Sequence, residues 1–369
     1  MANVTAALGL MSGTSMDGID IALIETDGER HVAPGPSETV DYTPGLRALY
    51  REVLDAARTL DRREDRPAPL DEFEREITDA HMRAVTAFLT RHGLAPGDIG
   101  VIGFHGQTVL HRPERRLTVQ LGDGARLADG LGIRVVSDLR AADVAAGGQG
   151  APLVPVYHSA LAAGLGSGPR AFLNIGGVAN LTYIADGAPL VAFDTGPGNA
   201  LLDDWVLRHL GTDCDRDGAL ARSGHVDEAR LARLLDHAYF EAPAPKSLDR
   251  NDFSLDALDG LSPQDGAATL VAFTSAAVAR AVAHLPAAPA SWVVCGGGRR
   301  NPAIMDALRD RLGVPVETAE AVGLDGDAIE AEAFAYMAVR RLANLAITFP
   351  STTGVAEPLT GGVIHEPAR

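Results

Sequence analysis

The stretch Val191–Asn199, VAFDTGPGN, sets one carboxylate between an apolar run and a turn rich in glycine and proline. Gly196 and Gly198 keep side-chain bulk away from Asp194, which suits a general base or a metal ligand. The structural alternative is an aspartate that caps its own turn. A second stretch, Leu8–Glu25 (LGLMSGTSMDGIDIALIE), carries Gly13, Thr14, Ser15, Met16, Asp17 and Gly18 between two apolar runs. Small residues there let backbone N–H groups surround an oxyanion, and the hydroxyls add donors, as phosphate binding requires. Asp17-Gly18 is equally the signature of a tight hairpin with no ligand. A third stretch, AFLNIGGVANLTYI (Ala171–Ile184), repeats that plan around Gly176-Gly177, with Asn180 and Thr182 beyond the turn. The fourth is Cys295–Pro302 (CGGGRRNP), where Gly296, Gly297 and Gly298 stand before a helix, so that a ring or phosphate can lie on backbone. Cys295 reads as a packing residue.

Three short apolar runs each end on polar residues: Val101–Phe104 on His105-Gly106-Gln107-Thr108, Leu117–Leu121 on Gly122-Asp123-Gly124, and Ile133–Val136 on Ser137–Arg140. Open α/β sheets place ligands at such strand ends. His105 is read as a ligand contact, with a hydrogen-bonded core histidine as the alternative. Helical apolar spacing is expected over 43–60, 70–92, 152–163, 200–210, 226–240, 265–285 and 325–343. Asn199 is expected to cap the helix from Ala200. Glu330 and Glu332 fall in the first turns of the last helix, where their charge suits the dipole. The glycine-rich segment 141–151 reads as a domain seam or as backbone near substrate, and the loop 242–256 as substrate-side or plain surface. Because the strand–glycine loop–strand plan occurs twice, two similar α/β halves are expected, each holding part of one phosphate chain.

The chain has 369 residues, enough for two domains. Its net charge of −17 leaves no basic surplus for nucleic acid or an anionic membrane, so neither is expected as a partner. Two cysteines provide neither a disulfide framework nor a cysteine zinc site. No basic segment precedes the first apolar run, and no uninterrupted apolar stretch nears the roughly 20 residues of a membrane span. A cytoplasmic location is expected.

The motifs GLMSGTSMDGID (9–20), IGFHGQT (102–108), GGQGAPLVP (147–155), NIGGVANLT (174–182), FDTGPGN (193–199), CGGG with NP (295–302) and DAIEAEAFA (327–335) occur in order along nearly the whole chain. Together they resemble the anhydro-N-acetylmuramic acid kinases of the acetate kinase/hexokinase/hsp70/actin superfamily. The resemblance implies an α/β fold of two duplicated actin-like, ribonuclease H-like domains closing on a central ATP cleft. The boundaries expected are 1–136 plus about 345–369, and 137–344. It implies ATP with Mg2+ held mainly through the phosphates, an amino sugar as the other substrate, and allows a homodimer. Asp194 would be the catalytic base. Gly13, Thr14, Ser15, Met16, Asp17, Gly18, Ile19 and Asp20 would form the first phosphate loop, and Gly176, Gly177, Asn180 and Gly196 the second. Gly296, Gly297, Gly298 and Asn301 would face the nucleotide. His105, Gln107, Asp123, Arg140 and Glu330 would contact the sugar, Arg140 pairing with its lactyl carboxylate.

In such kinases hydrolytic opening of a 1,6-anhydro ring is coupled to phosphorylation of O6, a step in peptidoglycan recycling. Two departures stand out: KSLDRNDF (246–253) and Arg299-Arg300 differ from patterns common among relatives. The alternatives are an ordinary sugar kinase acting on a free hydroxyl and an ATP-dependent binding protein without chemistry.

Overall fold

The computed structural model describes residues 4–13, 16, 18–249 and 252–368. Thr14, Ser15 and Asp17 of the first glycine loop therefore lie outside the described residues, as do Arg250 and Asn251 of the 246–253 segment. The strands are β1 (Thr5–Ser12), β2 (Gly18–Thr26), β3 (Val32–Asp41), β4 (Val101–Arg112), β5 (Leu117–Leu121), β6 (Val135–Ser137), β7 (Arg170–Ile175), β8 (Val178–Ile184), β9 (Val191–Pro197), β10 (Ser291–Cys295), β11 (Val316–Thr318) and β12 (Val363–His365). They fall into two compact units, Met1–Gly164 with Ala328–Arg369 (unit 1) and Leu165–Asp327 (unit 2).

The sheet of unit 1 runs β12-β6-β4-β1-β2-β3, with β5 also on β4. That of unit 2 runs β11-β10-β7-β8-β9. In both, the first strand pairs antiparallel with the second and the second with the third. Two parallel strands then extend the sheet on the other side of the first. The fold is thus a duplicated α/β plan, as the repeated motif predicts. Each sheet carries its own apolar core. β1 reads as a nearly continuous hydrophobic run because it is covered on both faces, by the helix Ile329–Leu342 on one and by the core around Leu8 and Leu10 on the other.

Glycine decides one contact in unit 1. Gly9 of β1 and Gly103 of β4 are register partners. The helix Ile329–Leu342 crosses them closely. A Cβ on Gly9 would sit 1.7 Å from the Ala331 carbonyl oxygen, and one on Gly103 would sit 2.0 Å from that of Phe334. At these two positions nothing larger than glycine fits beneath the helix.

The boundaries lie elsewhere than expected: residues 137–164 and 328–344 belong to unit 1, not to the second half. Packing explains the shift. β6 ends at Ser137 inside the unit 1 sheet. Tyr157, on the helix Pro155–Ala163, donates to the Glu332 carboxylate at 2.8 Å and meets the Tyr336 ring at 5.4 Å. The tail is likewise secured, β12 pairing with β6. The span Pro263–His284 is long and apolar enough on composition to cross a membrane, but most of it is buried in unit 2, where the helix Pro263–Ala281 lies against β9.

Candidate active site

In unit 1, β4 continues past the expected end at Phe104 to Arg112, so His105, Gly106 and Gln107 lie within a strand. The pairing with β1 shifts between Leu10 and Ser12, beside Gly106, whose φ is +70°. This irregularity re-aims the polar side chains, as bulges do near functional sites. Ser12 Oγ donates to the Gly106 carbonyl at 2.9 Å. Both Arg140 Nε and Nη2 approach His105 Nε2, at 3.3 and 3.1 Å. Nε2 therefore accepts, and Nδ1–H donates to the Ser12 carbonyl at 3.1 Å. Burial and the neighbouring Arg140 charge pull the imidazole pKa down to about 3, so it stays neutral. Burial pushes the Glu330 carboxyl up, Arg140 opposes that, and the Asp20 charge adds to it. His105, Arg140, Glu330 and Asp20 thus share one electrostatic neighbourhood.

Gln107 lies in the same strand but does different work. It is fully buried. Its Nε2 donates to the Gly13 carbonyl at 2.9 Å and to Tyr50 Oη at 3.0 Å, and its Oε1 accepts from Tyr42 at 3.1 Å. Both amide hydrogens are used inside the protein, tying Gln107 to the exit of β1. Asp123 stands at a helix start. Its carboxylate accepts from the Arg126 N–H at 2.9 Å as the N-cap of the helix Gly124–Leu131. Gly18 is not the corner of a tight turn: it already belongs to β2, where a Cβ would lie 2.4 Å from the Val40 carbonyl oxygen. Ile19 is in the core. Met16 holds φ +65° and packs on that core. Asp20 Oδ1 accepts from Thr39 Oγ1 at 2.6 Å.

In unit 2, Asp194 sits inside β9, not at its end. It pairs in register with Asn180, and Asn180 pairs with Asn174. Directly opposed residues share a face, so these three partly exposed polar side chains form a row beside the Gly176-Gly177 turn. The Leu248 N–H donates to Asp194 Oδ2 at 2.8 Å, and the Asp194 N–H donates to the Lys246 carbonyl at 3.0 Å. Tyr239 Oη donates to the Asp194 carbonyl oxygen at 2.5 Å. The loop left undecided by sequence therefore holds the carboxylate. Lys246 turns its ammonium away, to the carbonyls of Tyr239 and Phe240 at 2.9 and 3.2 Å. Burial pushes the Asp194 carboxyl up to about 6, against the opposing Leu248 N–H.

The glycines around this row are spatially required. Gly198 would place a Cβ 2.3 Å from the Gly176 carbonyl oxygen. Gly296, at φ +73°, would place one 2.2 Å from Asn174 Oδ1, and Gly298 one 2.3 Å from Ile175 Cγ2. Gly196 lies against Ala277 at 2.8 Å by the same measure. Gly297 opens the turn that leads to Arg300. Asn301 caps the helix Pro302–Leu312, its Oδ1 accepting from the Ala303 N–H at 3.0 Å. Asn199 occupies the expected cap position without a side-chain cap; its Nδ2 donates to the Ile175 carbonyl at 3.2 Å instead. Arg299 is used internally: its side chain is 4% exposed and bridges Glu320 at 2.7 Å and Asp327 at 2.9 Å. Its Nη1 also donates to the Gly296 carbonyl at 3.0 Å, bracing the glycine turn.

Sequence reading missed Tyr42, Tyr50, Tyr239 and the Leu248 N–H, which no local pattern marks. Asn174 was recoverable, since counting register back from Asp194 across the two hairpins reaches it.

The family model described as anhydro-N-acetylmuramic acid kinase matches residues 5–367. The chain belongs to the anhydro-N-acetylmuramic acid kinase family. Membership makes it an enzyme, a phosphotransferase that uses ATP. Three curated relatives named anhydro-N-acetylmuramic acid kinase support this assignment. The protein of Nitrobacter winogradskyi is 55% identical over 98% of this chain and 99% of its own length. That of Rhodospirillum rubrum is 57% identical over 96% and 93%, and that of Azorhizobium caulinodans 57% over 98% and 99%.

Proposed function

We propose that this enzyme opens 1,6-anhydro-N-acetylmuramic acid with water and phosphorylates the released O6, giving N-acetylmuramic acid 6-phosphate for cell-wall recycling in the cytoplasm. The observation that carries this reading is the state of Asp194. Among the described residues the carboxylate has no ion-pair partner and only one oxygen engaged, and burial raises its pKa to about 6. A free hydroxyl can be activated by such a base, but an anhydro sugar has no free O6, so water must be the group deprotonated. Asp194 removes a proton from water as the water oxygen bonds to C1 and the C1–O6 bond breaks. O6 then bonds to the γ-phosphorus and ADP leaves. A base tuned near the working pH is matched to that task, and water attack at an acetal carbon needs a placed carboxylate.

His105, Arg140 and Glu330 are assigned to the sugar, with Arg140 on its lactyl carboxylate. Gly13–Asp20 and Gly176, Gly177, Asn180 and Gly196 are assigned to the phosphates, and Gly296–Gly298 to the nucleoside end. Gln107, Asp123 and Asn301 serve by holding those segments. Among the described residues no group of three or more His, Cys, Asp or Glu side chains forms a metal cage. Mg2+ characteristically takes only one or two carboxylates plus phosphate oxygens and water, so Asp20 with the ATP phosphates is a donor set it accepts, which keeps Asp194 for the base role. Mg2+ there would neutralise charge on the transferring phosphoryl group.

The test is turnover of Mg-ATP with the anhydro sugar in ¹⁸O-labelled water, beside free N-acetylmuramic acid and Asp194→Asn. Label on the anomeric oxygen of a 6-phosphorylated product, corrected for exchange and absent with the variant, supports the reading. Phosphorylation of the free sugar alone overturns it in favour of an ordinary sugar kinase.

A further inference from the structure

Asp143 is 2% exposed, and the reaction above gives it no role. Its two oxygens are shared between distant parts of unit 1. Oδ1 accepts from the Gly150 N–H at 2.6 Å. Oδ2 accepts from Thr353 Oγ1, also buried, at 2.6 Å. The backbone repeats the link, since the Gln149 N–H donates to the Thr353 carbonyl at 2.7 Å. His111 Nε2 holds the Gln149 carbonyl at 2.9 Å from the other side. Gly148 leaves room for this arrangement: a Cβ there would lie 2.2 Å from Asp143 Oδ1. The Gly150 carbonyl, fixed in this way, accepts from Arg140 Nη1 at 2.8 Å. The same guanidinium orients His105 through Nε and Nη2.

We propose that Asp143 and Thr353 are positioning residues: the C-terminal segment straps the Gly147–Gly150 loop through them, and the loop sets the Arg140–His105 pair that grips the sugar. The strap matters because an arginine is long and loses considerable rotamer freedom when ordered. Anchoring one N–H on a fixed carbonyl leaves the others aimed. This proposal rests on the sugar role given to Arg140 and His105 above.

The test compares Thr353→Val, Thr353→Ser and Asp143→Ala in the full chain, reading KM for the anhydro sugar, KM for ATP, melting temperature and the ¹⁵N signals of the His105 ring, assigned with His105→Gln. Thr353→Val has nearly the parent shape and loses the hydroxyl, so it reports even where Asp143→Ala fails to fold. The expected result is a rise of roughly tenfold in sugar KM with ATP KM unchanged, a shifted Nε2 signal, and restoration of both by Thr353→Ser. An equal rise in both KM values with a fall in melting temperature shows a merely structural role and overturns the proposal. So do an unmoved sugar KM and an unmoved ring signal. If the parent enzyme does not turn over the anhydro sugar, the functional reading fails on its own, and the His105 signals still decide whether the strap sets the pair.

Discussion

The two units share a strand plan and use it in opposite ways. In unit 1, among the described residues beside the first hairpin, Ser12 and Gln107 are fully buried and tie β1 to β4 and to Tyr42 and Tyr50. In unit 2 the corresponding hairpin is lined by glycine and by the partly exposed row Asn174, Asn180 and Asp194. The lesson is that a duplicated topology duplicates positions, not environments. The carboxylate on the third strand of unit 2 is held by a loop N–H, with no ion-pair partner among the described residues, and burial raises its pKa. The histidine on the fourth strand of unit 1 is held by an arginine and stays neutral.

The strongest way to break this comparison is Asp194→Asn. Activity should fall by about 10²–10⁴-fold, the usual worth of a general base, with the sugar still bound. Retention of more than a tenth of kcat would remove Asp194 from the base role.

Glycine replacements come next, because they should separate the units. Gly103→Ala puts a Cβ 2.0 Å from the Phe334 carbonyl oxygen. A loss of at least ~3 kcal/mol in stability, or failure to fold, is expected from such overpacking. Gly177→Ala meets nothing nearer than Ala200 Cβ at 3.6 Å. It should fold normally and raise KM for ATP if phosphate lies on that backbone. Equal thermal stability of both variants would contradict the geometry.

The pH behaviour of Asp194→Asn sharpens the same contrast. Because the native pKa is raised to about 6, the folded protein binds this proton more tightly than the unfolded chain does. That contribution to stability is complete below about pH 4 and is lost as pH rises through about 6. An asparagine does not titrate. The variant should therefore match the parent near pH 4 and exceed it at pH 7.5, by on the order of 1–3 kcal/mol. Melting curves at the two pH values check this, and a variant less stable at pH 7.5 refutes it. The parent's kcat/KM should fall below about pH 6 as the base protonates, with no inflection from His105.

The smallest effect is expected for Tyr42→Phe, which removes one donor to Gln107. About 1 kcal/mol should be lost, with kcat nearly unchanged.

Much of the fold was legible because its signals are local. Glycine loops between apolar runs, read at two places, gave both hairpins and hence the duplication. The expected helix over 70–92 is the helix Leu70–Arg91, with apolar spacing along all of it. The end of β4 was misread because polar residues interrupt the apolar run, although Gln107 is as buried as its neighbours. Asp123 and Asn301 illustrate the same ambiguity: short polar side chains before a helix are what a cap requires and what a ligand contact resembles.

By itself, the sequence determined the family, the two glycine-lined hairpins, the carboxylate between Phe193 and Thr195, and the acidic balance of charge. These depend on residue type and spacing within about ten positions. Only the tertiary structure decided which polar groups are spent and which remain available. It placed Leu248 on Asp194, Tyr42 and Tyr50 on Gln107, and Thr353 on Asp143, contacts between residues far apart in the chain. The desolvation that raises the Asp194 pKa, and the hydrogen bonds that tie Gln107 to Tyr42, Tyr50 and Gly13, arise from neighbours brought together by packing. No local pattern encodes them, because burial is a property of the assembled surface.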